Sequence, residues 1–336
     1  MPGQLRLLRE NRCRSADICL LSCKAQLTKD KGDIVHSPLR HACGIKWRKI
    51  FVSIFLSVFW GTGFGATVNA AEKPIVYFGI IPRYNPMVMY RNYQPLMDYL
   101  TANTPYHFEL KLSRDYPEAV TLLRTGVTPI ASLGDVTFSE ACKNFGAMAL
   151  VRPLSDGGEP FYRSIIIVRQ DSSIQTLADL KGKSFAFGDP HSTSGNLIPR
   201  DYLYRHGITL FDLKNFSTLG SHDAVAKDVL KGKFAAGAVK DVIAYRYQSH
   251  GLRFLAFSEP IPAVPIVVTK DTSPALVAAV KKALLAIDPG DPLQRAAMKS
   301  WDPEFRNGFV PATTADYQHI FDLMAGIKDG CGSRCH

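Results

Sequence analysis

From residue 73 onward the apolar positions switch repeatedly between two periods. Lys73 to Ile81 (KPIVYFGII) is almost continuously apolar, as a strand covered on both faces of a parallel sheet is. A polar turn with Pro82, Arg83, Asn85 and Pro86 follows, and a helical period runs from about Tyr93 to Ala102. Tyr106 to Leu112 reads as the next strand and Tyr116 to Thr125 as the next helix, closed by Gly126. Pro129–Leu133 and Asp135–Lys143 repeat the pair. Strand and helix alternating at this spacing predict an open sheet with a parallel core.

After the turn Asp156-Gly157-Gly158, Phe161 to Arg169 (FYRSIIIVR) is a long, β-branched run. It is expected to leave one domain and enter a second. There the pattern resumes: strands at Ser184–Gly188, Lys214–Leu219, Phe234–Val239 and Leu252–Phe257, helices at Asn196–His206, His222–Leu230 and Asp241–Tyr247. Pro260 to Thr269 reads as a strand returning to the first domain. Helices at Ser273–Ile287, Pro292–Lys299 and Thr314–Ile327 would pack there. The expected architecture is α/β: two lobes with parallel-core sheets joined by two crossing strands. Lobe 1 comprises residues 71–163 and 259–336, and lobe 2 residues 164–258. Carboxyl ends of parallel strands then face a cleft between lobes, and hinged lobes can close on a ligand.

One stretch stands out, Asp179 to Gly195 (DLKGKSFAFGDPHSTSG). A short buried strand breaks at Asp189-Pro190, and Ser192, Thr193, Ser194 and Gly195 then open a helix. The first N–H groups of a helix lack internal partners and sit at its positive end, so an anion is held well there. Ser and Thr are also ordinary N-caps, but three consecutive hydroxyls exceed what capping needs.

Charge alters the picture only at the N-terminus. The chain has 336 residues and a formal charge of +10. Residues 1–70 hold 11 of the 40 Lys and Arg but only four of the 30 acids, which leaves 29 bases and 26 acids, a net of +3. No basic stripe for nucleic acid is left. Lys46, Arg48 and Lys49 precede the apolar run Ile50–Trp60, and Val68-Asn69-Ala70 supplies small residues for cleavage before Ala71. This is the pattern of a removed secretory signal, with Gly61, Gly63 and Gly65 interrupting the run short of a membrane span. Residues 1–44 are too long for a signal's basic region, and a start near Val35 is expected. Of seven cysteines, four lie in the part expected to be removed. Cys142 reads as a small buried hydrophobe; Cys331 and Cys335 leave a local disulfide open. No metal-ligand spacing or cofactor motif is present, so none is expected.

The segments DLKGKSFAFGDPHSTSG, YRSIIIVR and GSHDAVAKDVLKGKFAAGAV resemble the periplasmic phosphonate, phosphite and phosphate-binding proteins of ABC importers, in order and spacing, over roughly residues 74–325. The resemblance implies a type II solute-binding fold without catalysis. It implies a periplasmic monomer that captures a small phosphorus oxyanion for an inner-membrane permease. Carried over by position, the oxyanion turn matches Ser192, Thr193 and Ser194, and the ligand histidine matches His222. Two aromatic positions match Tyr162 and Tyr116, and an acid matches Asp241, which would repel a fully ionised oxyanion and tolerate a protonated one. Where aminophosphonate binders have a second acid this chain has Val264, which argues against an alkylammonium ligand. Two other classes stay open: a sensing lobe for a separate signalling protein, and a phosphatase or sulfatase using Ser192 or Ser194. The latter needs a base and usually a metal; His222 has no accompanying ligand cluster. His107, His191, His206, His250 and His319 are expected at the surface.

Overall fold

The computed structural model describes residues 72–330, and side chains as far as 326. The expected N-terminal extension, signal and cleavage point, and the pair Cys331 and Cys335, lie outside the described residues.

Two sheets dominate. In chain order the first part gives β1 (Ile75–Ile80), α1 (Pro86–Asn103), β2 (His107–Leu112), α2 (Tyr116–Arg124), β3 (Ile130–Ser132), α3 (Asp135–Phe145) and β4 (Met148–Pro153). Then come the short β5 (Phe161–Tyr162), β6 (Ser164–Arg169), β7 (Ser184–Phe187), α4 (Ile198–Arg205), β8 (Asn215–Thr218), α5 (His222–Leu230), β9 (Ala236–Lys240), α6 (Asp241–Gln248) and β10 (Leu252–Phe257). The chain returns through β11 (Ile261–Pro262) to β12 (Ile266–Val268), α7 (Pro274–Leu285), α8 (Pro292–Met298), β13 (Phe309–Pro311) and α9 (Gln318–Gly330).

The six-stranded sheet has the order β13-β4-β12-β3-β1-β2. Its β2-β1-β3 core is parallel, and β12, returning from the other sheet, runs antiparallel to both β3 and β4. The five-stranded sheet is ordered β10-β6-β9-β7-β8, with β8, β7 and β9 parallel and β6 antiparallel to β9. Between them β5 and β11 pair antiparallel, with Ile261 opposite Tyr162. The long run from Phe161 is thus broken at Arg163, one piece in the hinge ribbon and the other in the second sheet.

Three differences from the sequence pattern have local causes. The first helix begins at Pro86, because Asn85 accepts a 3.2 Å bond from the Val88 N–H and Pro86 needs no donor at the first turn. β4, as long as β1 and β2, and the three-residue edge strand β13 escape the pattern; each ends in a proline, Pro153 and Pro311, which donates no ladder bond. The helix expected from Asn196 begins earlier, as a wider turn over Thr193–Leu197 that takes in the hydroxyls. Here the Ser192 carbonyl accepts from both Asn196 and Leu197 N–H at 3.1 Å. Pro199 cannot donate back to this turn, and two of the turn's carbonyls accept from outside it. Ser194 O accepts 2.7 Å from the Ser164 hydroxyl, and Gly195 O accepts 2.7 Å from the Gly188 N–H. The turn is thereby tied to β6 and to the end of β7.

One large apolar cluster draws on both sheets, from Phe78 and Ile130 to Ile165 and Val239, and each sheet has a smaller one of its own. Phe185, Phe187, Ile166 and Leu203 are buried in one cluster on the second sheet, and Tyr116, Phe138 and Tyr317 in another on the first. Phe138 and Tyr317 meet edge to face at 5.2 Å between ring centroids, a favoured aromatic geometry. Val264 is buried and apolar.

Candidate functional site

Four segments between the sheets meet at one place. The hydroxyl turn follows β7, α5 opens with His222, α2 opens with Tyr116, and the hinge strand β5 ends in Tyr162. Ser192, Thr193, Ser194, His222, Tyr116 and Tyr162 are all buried.

His222 anchors the geometry. Ser221 caps α5 by accepting a 3.2 Å bond from the Ala224 N–H, which leaves His222 at the first helical position. Its Nδ1 accepts from the Lys240 N–H at 3.2 Å, so Nδ1 carries no proton and Nε2 carries the one the neutral ring has. That Nε2 lies 3.3 Å from Ser192 Oγ. Burial, aided by the charges of Lys240 and Arg83, pushes the imidazole down to about 3. It is therefore a neutral donor across the physiological range. Ser192 Oγ also accepts the Gly195 N–H at 3.1 Å and is hydrogen-bonded to Tyr116. Burial pushes the Tyr116 phenol up to about 12, which keeps it a donor too.

The turn also touches the opposite side. Thr193 Oγ1 accepts a 3.1 Å bond from the Val136 N–H in the first turn of α3. Tyr162 is bonded to Ser194, and its hydroxyl lies 3.4 Å from Asp135 Oδ2. His191 Nδ1 lies 2.9 Å from Glu140 Oε1. That hydrogen bond, with the Glu140 charge, raises the half-buried imidazole's pKa. So His191, expected as a surface residue, ties the hydroxyl turn to α3.

Asp241 is placed differently. Its carboxylate accepts from the Arg163 N–H at 3.1 Å and the Val242 N–H at 2.7 Å. Burial raises its pKa, and Lys240 partly offsets that. With Tyr162, Lys240 and Glu304 it lines a pocket of about 570 Å³ beside the hinge ribbon. The walls of that pocket do not include the hydroxyl turn or His222.

Residues 78–317 match the family model of the periplasmic substrate-binding proteins of phosphonate ABC transporters. The chain belongs to that family. It is similar to the phosphonates-binding periplasmic protein of Escherichia coli, 27% identical over 179 residues, or 51% of this chain and 53% of that protein. The chain thus spans about half the length of this relative. It is 25% identical over 297 residues to the phosphate-import protein PhnD of Mycolicibacterium smegmatis, covering 79% of this chain and 88% of that one. Among solved structures it is similar to PhnD1 of Prochlorococcus marinus in complex with methylphosphonate. There the TM-score is 0.68 and the identity 20%, over 76% of this chain and 99% of that one. The fold is the two-lobed type II solute-binding fold. The family consists of substrate-binding transport proteins of the periplasm, so neither the phosphatase nor the signalling alternative is favoured.

The phosphonate-binding family member carries charges that its motif segments do not announce. Arg83, between β1 and α1, is buried and donates to Tyr93 Oη at 3.0 Å and Ser132 Oγ at 3.2 Å. It pairs with Glu304 Oε2 at 2.8 Å, and Lys240 Nζ pairs with Glu304 Oε1 at 2.9 Å. Burial pushes the Glu304 carboxyl up, but the two cations outweigh it and hold it below the usual range. The Lys240 ammonium also sits 3.1 Å from the centre of the Tyr162 ring, a cation–π contact in a desolvated place. Asp135, fully buried at the start of α3, adds a further acid. Val264 leaves the return strand without an acid, as expected. The surroundings hold Asp135 and Glu304 from other elements, and the donors are not all uncharged. Arg83 and Glu304 lie 221 positions apart and share no motif. Asp135 does have a signal, since it begins a helix directly after a parallel strand, as His222 and the hydroxyl turn do.

Proposed function

We propose that the chain captures a small phosphorus oxyanion (phosphite, phosphate or a short phosphonate) between its lobes and delivers it to an ABC permease in the inner membrane. The lobes are residues 71–163 with 259–336 and residues 164–258, and the mature monomer begins at Ala71 after signal cleavage. The observation that carries this reading is the convergence of His222 Nε2, the Ser192 hydroxyl and the Tyr116 hydroxyl on one buried point. Tyr162 and Ser194 meet beside it. A tetrahedral anion needs donors from several directions, and helix starts supply them without a mobile charge. Arg83 and Lys240 add a positive field, although Glu304 neutralises much of it.

The test is calorimetric titration of phosphite, phosphate and methylphosphonate into wild type and a Ser194→Ala/His222→Ala variant. Each lost hydrogen bond to a charged ligand should cost ~1.5–3 kcal/mol, so the double variant should bind at least about a hundredfold more weakly with its ligand-free melting little changed. Equal affinity in the two proteins would show the ligand to be held elsewhere.

A further inference from the structure

The hydroxyl turn and His222 supply donors, and next to them stands a carboxylate with one oxygen unpartnered among the described residues. Asp135 is fully buried. Its Oδ1 has no hydrogen-bond partner among the described residues. Its Oδ2 receives the Tyr162 hydroxyl at 3.4 Å, a long bond. The hydroxyl turn brackets this carboxyl on both sides. Val136, the next residue, donates to Thr193 Oγ1, and Tyr162 is bonded to Ser194. A buried carboxylate oxygen without a donor is costly, and the arrangement makes sense if the donor arrives with the ligand.

We propose that Asp135 shares a single proton with the bound oxyanion, so that binding takes up a proton once both the carboxyl and the ligand are ionised. This rests on the phosphorus-oxyanion reading and assigns the acceptor within that same site. A monoanionic phosphorus ligand brings a P–O–H group that donates to the ionised carboxylate. A dianionic ligand instead accepts from the protonated carboxyl. Either way one hydrogen lies between two oxygens, and no bond to phosphorus forms or breaks. A ligand that carries no proton of its own is held in that second way, so the mark of the shared proton is its uptake at alkaline pH.

The surroundings fit this role. Burial lifts the Asp135 carboxyl to about 7, with Lys240 holding it partly down. Phosphate groups lose their second proton at ~6, so the proton is available to either partner. The groups facing Asp135 are Tyr162, Glu304, Arg83 and Tyr317 from the same lobe and Lys240 from the end of β9, with the His191–Glu140 pair farther along α3. Asp241 differs in that each of its oxygens already accepts a backbone N–H, whereas Asp135 Oδ1 has none.

The test is calorimetry of the purified protein with phosphite at pH 6.5 and pH 9, and with methylphosphonate at pH 6.5 as a second phosphorus ligand. Wild-type affinity for phosphite should fall more than about tenfold over that range, and in Asp135→Asn, whose carboxamide donates without taking up a proton, the fall should be below about threefold. Titrations of wild type at pH 9 in two buffers of different ionisation enthalpy should show uptake of more than about half a proton per phosphite bound. The second measurement needs no variant, so it stands even if Asp135→Asn does not fold. The same fall with pH in the variant as in wild type, or binding without proton uptake, overturns the role of Asp135 and leaves the functional reading intact. Failure of both phosphorus ligands to bind wild type overturns that reading and this inference together.

Discussion

Replacing Glu304 with Gln should destabilise the protein more than any surface change. The carboxylate bridges two buried cations, at 2.8 Å from Arg83 and 2.9 Å from Lys240. Gln keeps the shape, so no cavity opens, but both cations lose their counter-charge. Removing one partner of a buried ion pair costs ~3–5 kcal/mol. At ~2–4 °C per kcal/mol for a domain of this size, the melting temperature should fall by about 6–20 °C. Lys240 stands at the end of β9 and Glu304 in the segment before β13, so the pair also joins the two lobes. Adding Lys240→Met to Glu304→Gln removes one of the orphaned cations and should recover part of the loss, because neighbours in one network are not additive. Differential scanning calorimetry at pH 7 on the wild type, both single variants and the double variant gives the coupling directly. A fall below about 2 °C for Glu304→Gln, or a double variant whose loss equals the sum of the singles, would refute a buried Arg83–Glu304–Lys240 network.

Three further outcomes are expected. The His222 ring has a folded pKa of about 3 against ~6.5 in an unfolded chain. It therefore contributes stability above pH ~6.5 that is lost as pH falls towards 3; urea midpoints of His222→Asn should lack that acid limb. Asp135 works the other way. Its folded pKa of about 7 lies above the unfolded ~3.9, which costs up to ~4 kcal/mol at pH 8 and nothing at pH 4. Asp135→Asn should raise the melting temperature at pH 8 and leave it unchanged at pH 4. A Cβ on Gly195 would lie 2.9 Å from His222 Cε1 and 3.0 Å from Gly188 Cα. Gly195→Ala should therefore displace the imidazole and lower oxyanion affinity about tenfold or more in a calorimetric titration, in line with a lost charge-assisted bond.

Much of this fold is legible in local pattern. α5 and β10 fall where the periodicity places them, because Ser221 and the apolar run Leu252–Phe257 carry their own start and stop signals. The hydroxyl turn is legible for the same reason, as Ser192 to Gly195 is a strand-to-helix junction written in consecutive residues. What escapes the sequence depends on distance along the chain. Glu304 reaches Arg83 and Lys240 only once β12 has returned to the first sheet. The tautomer of His222 is set by a backbone N–H 18 residues away. Asp135 reads locally as a helix-start acid. Its unbonded oxygen appears only when Tyr162 and the hydroxyl turn close over it. Pro199 looks like an interruption of a helix, yet it follows a turn whose Ser194 and Gly195 carbonyls are fastened from outside by Ser164 and Gly188.

The most direct measurement is a crystal structure of the mature protein grown with phosphite. The expected result is a phosphorus atom between the lobes, with oxygens about 3 Å from the Ser192–Ser194 turn and from His222 Nε2. Phosphite seated instead in the pocket of about 570 Å³ beside the hinge, with His222 and the turn bonded only to each other, would contradict it.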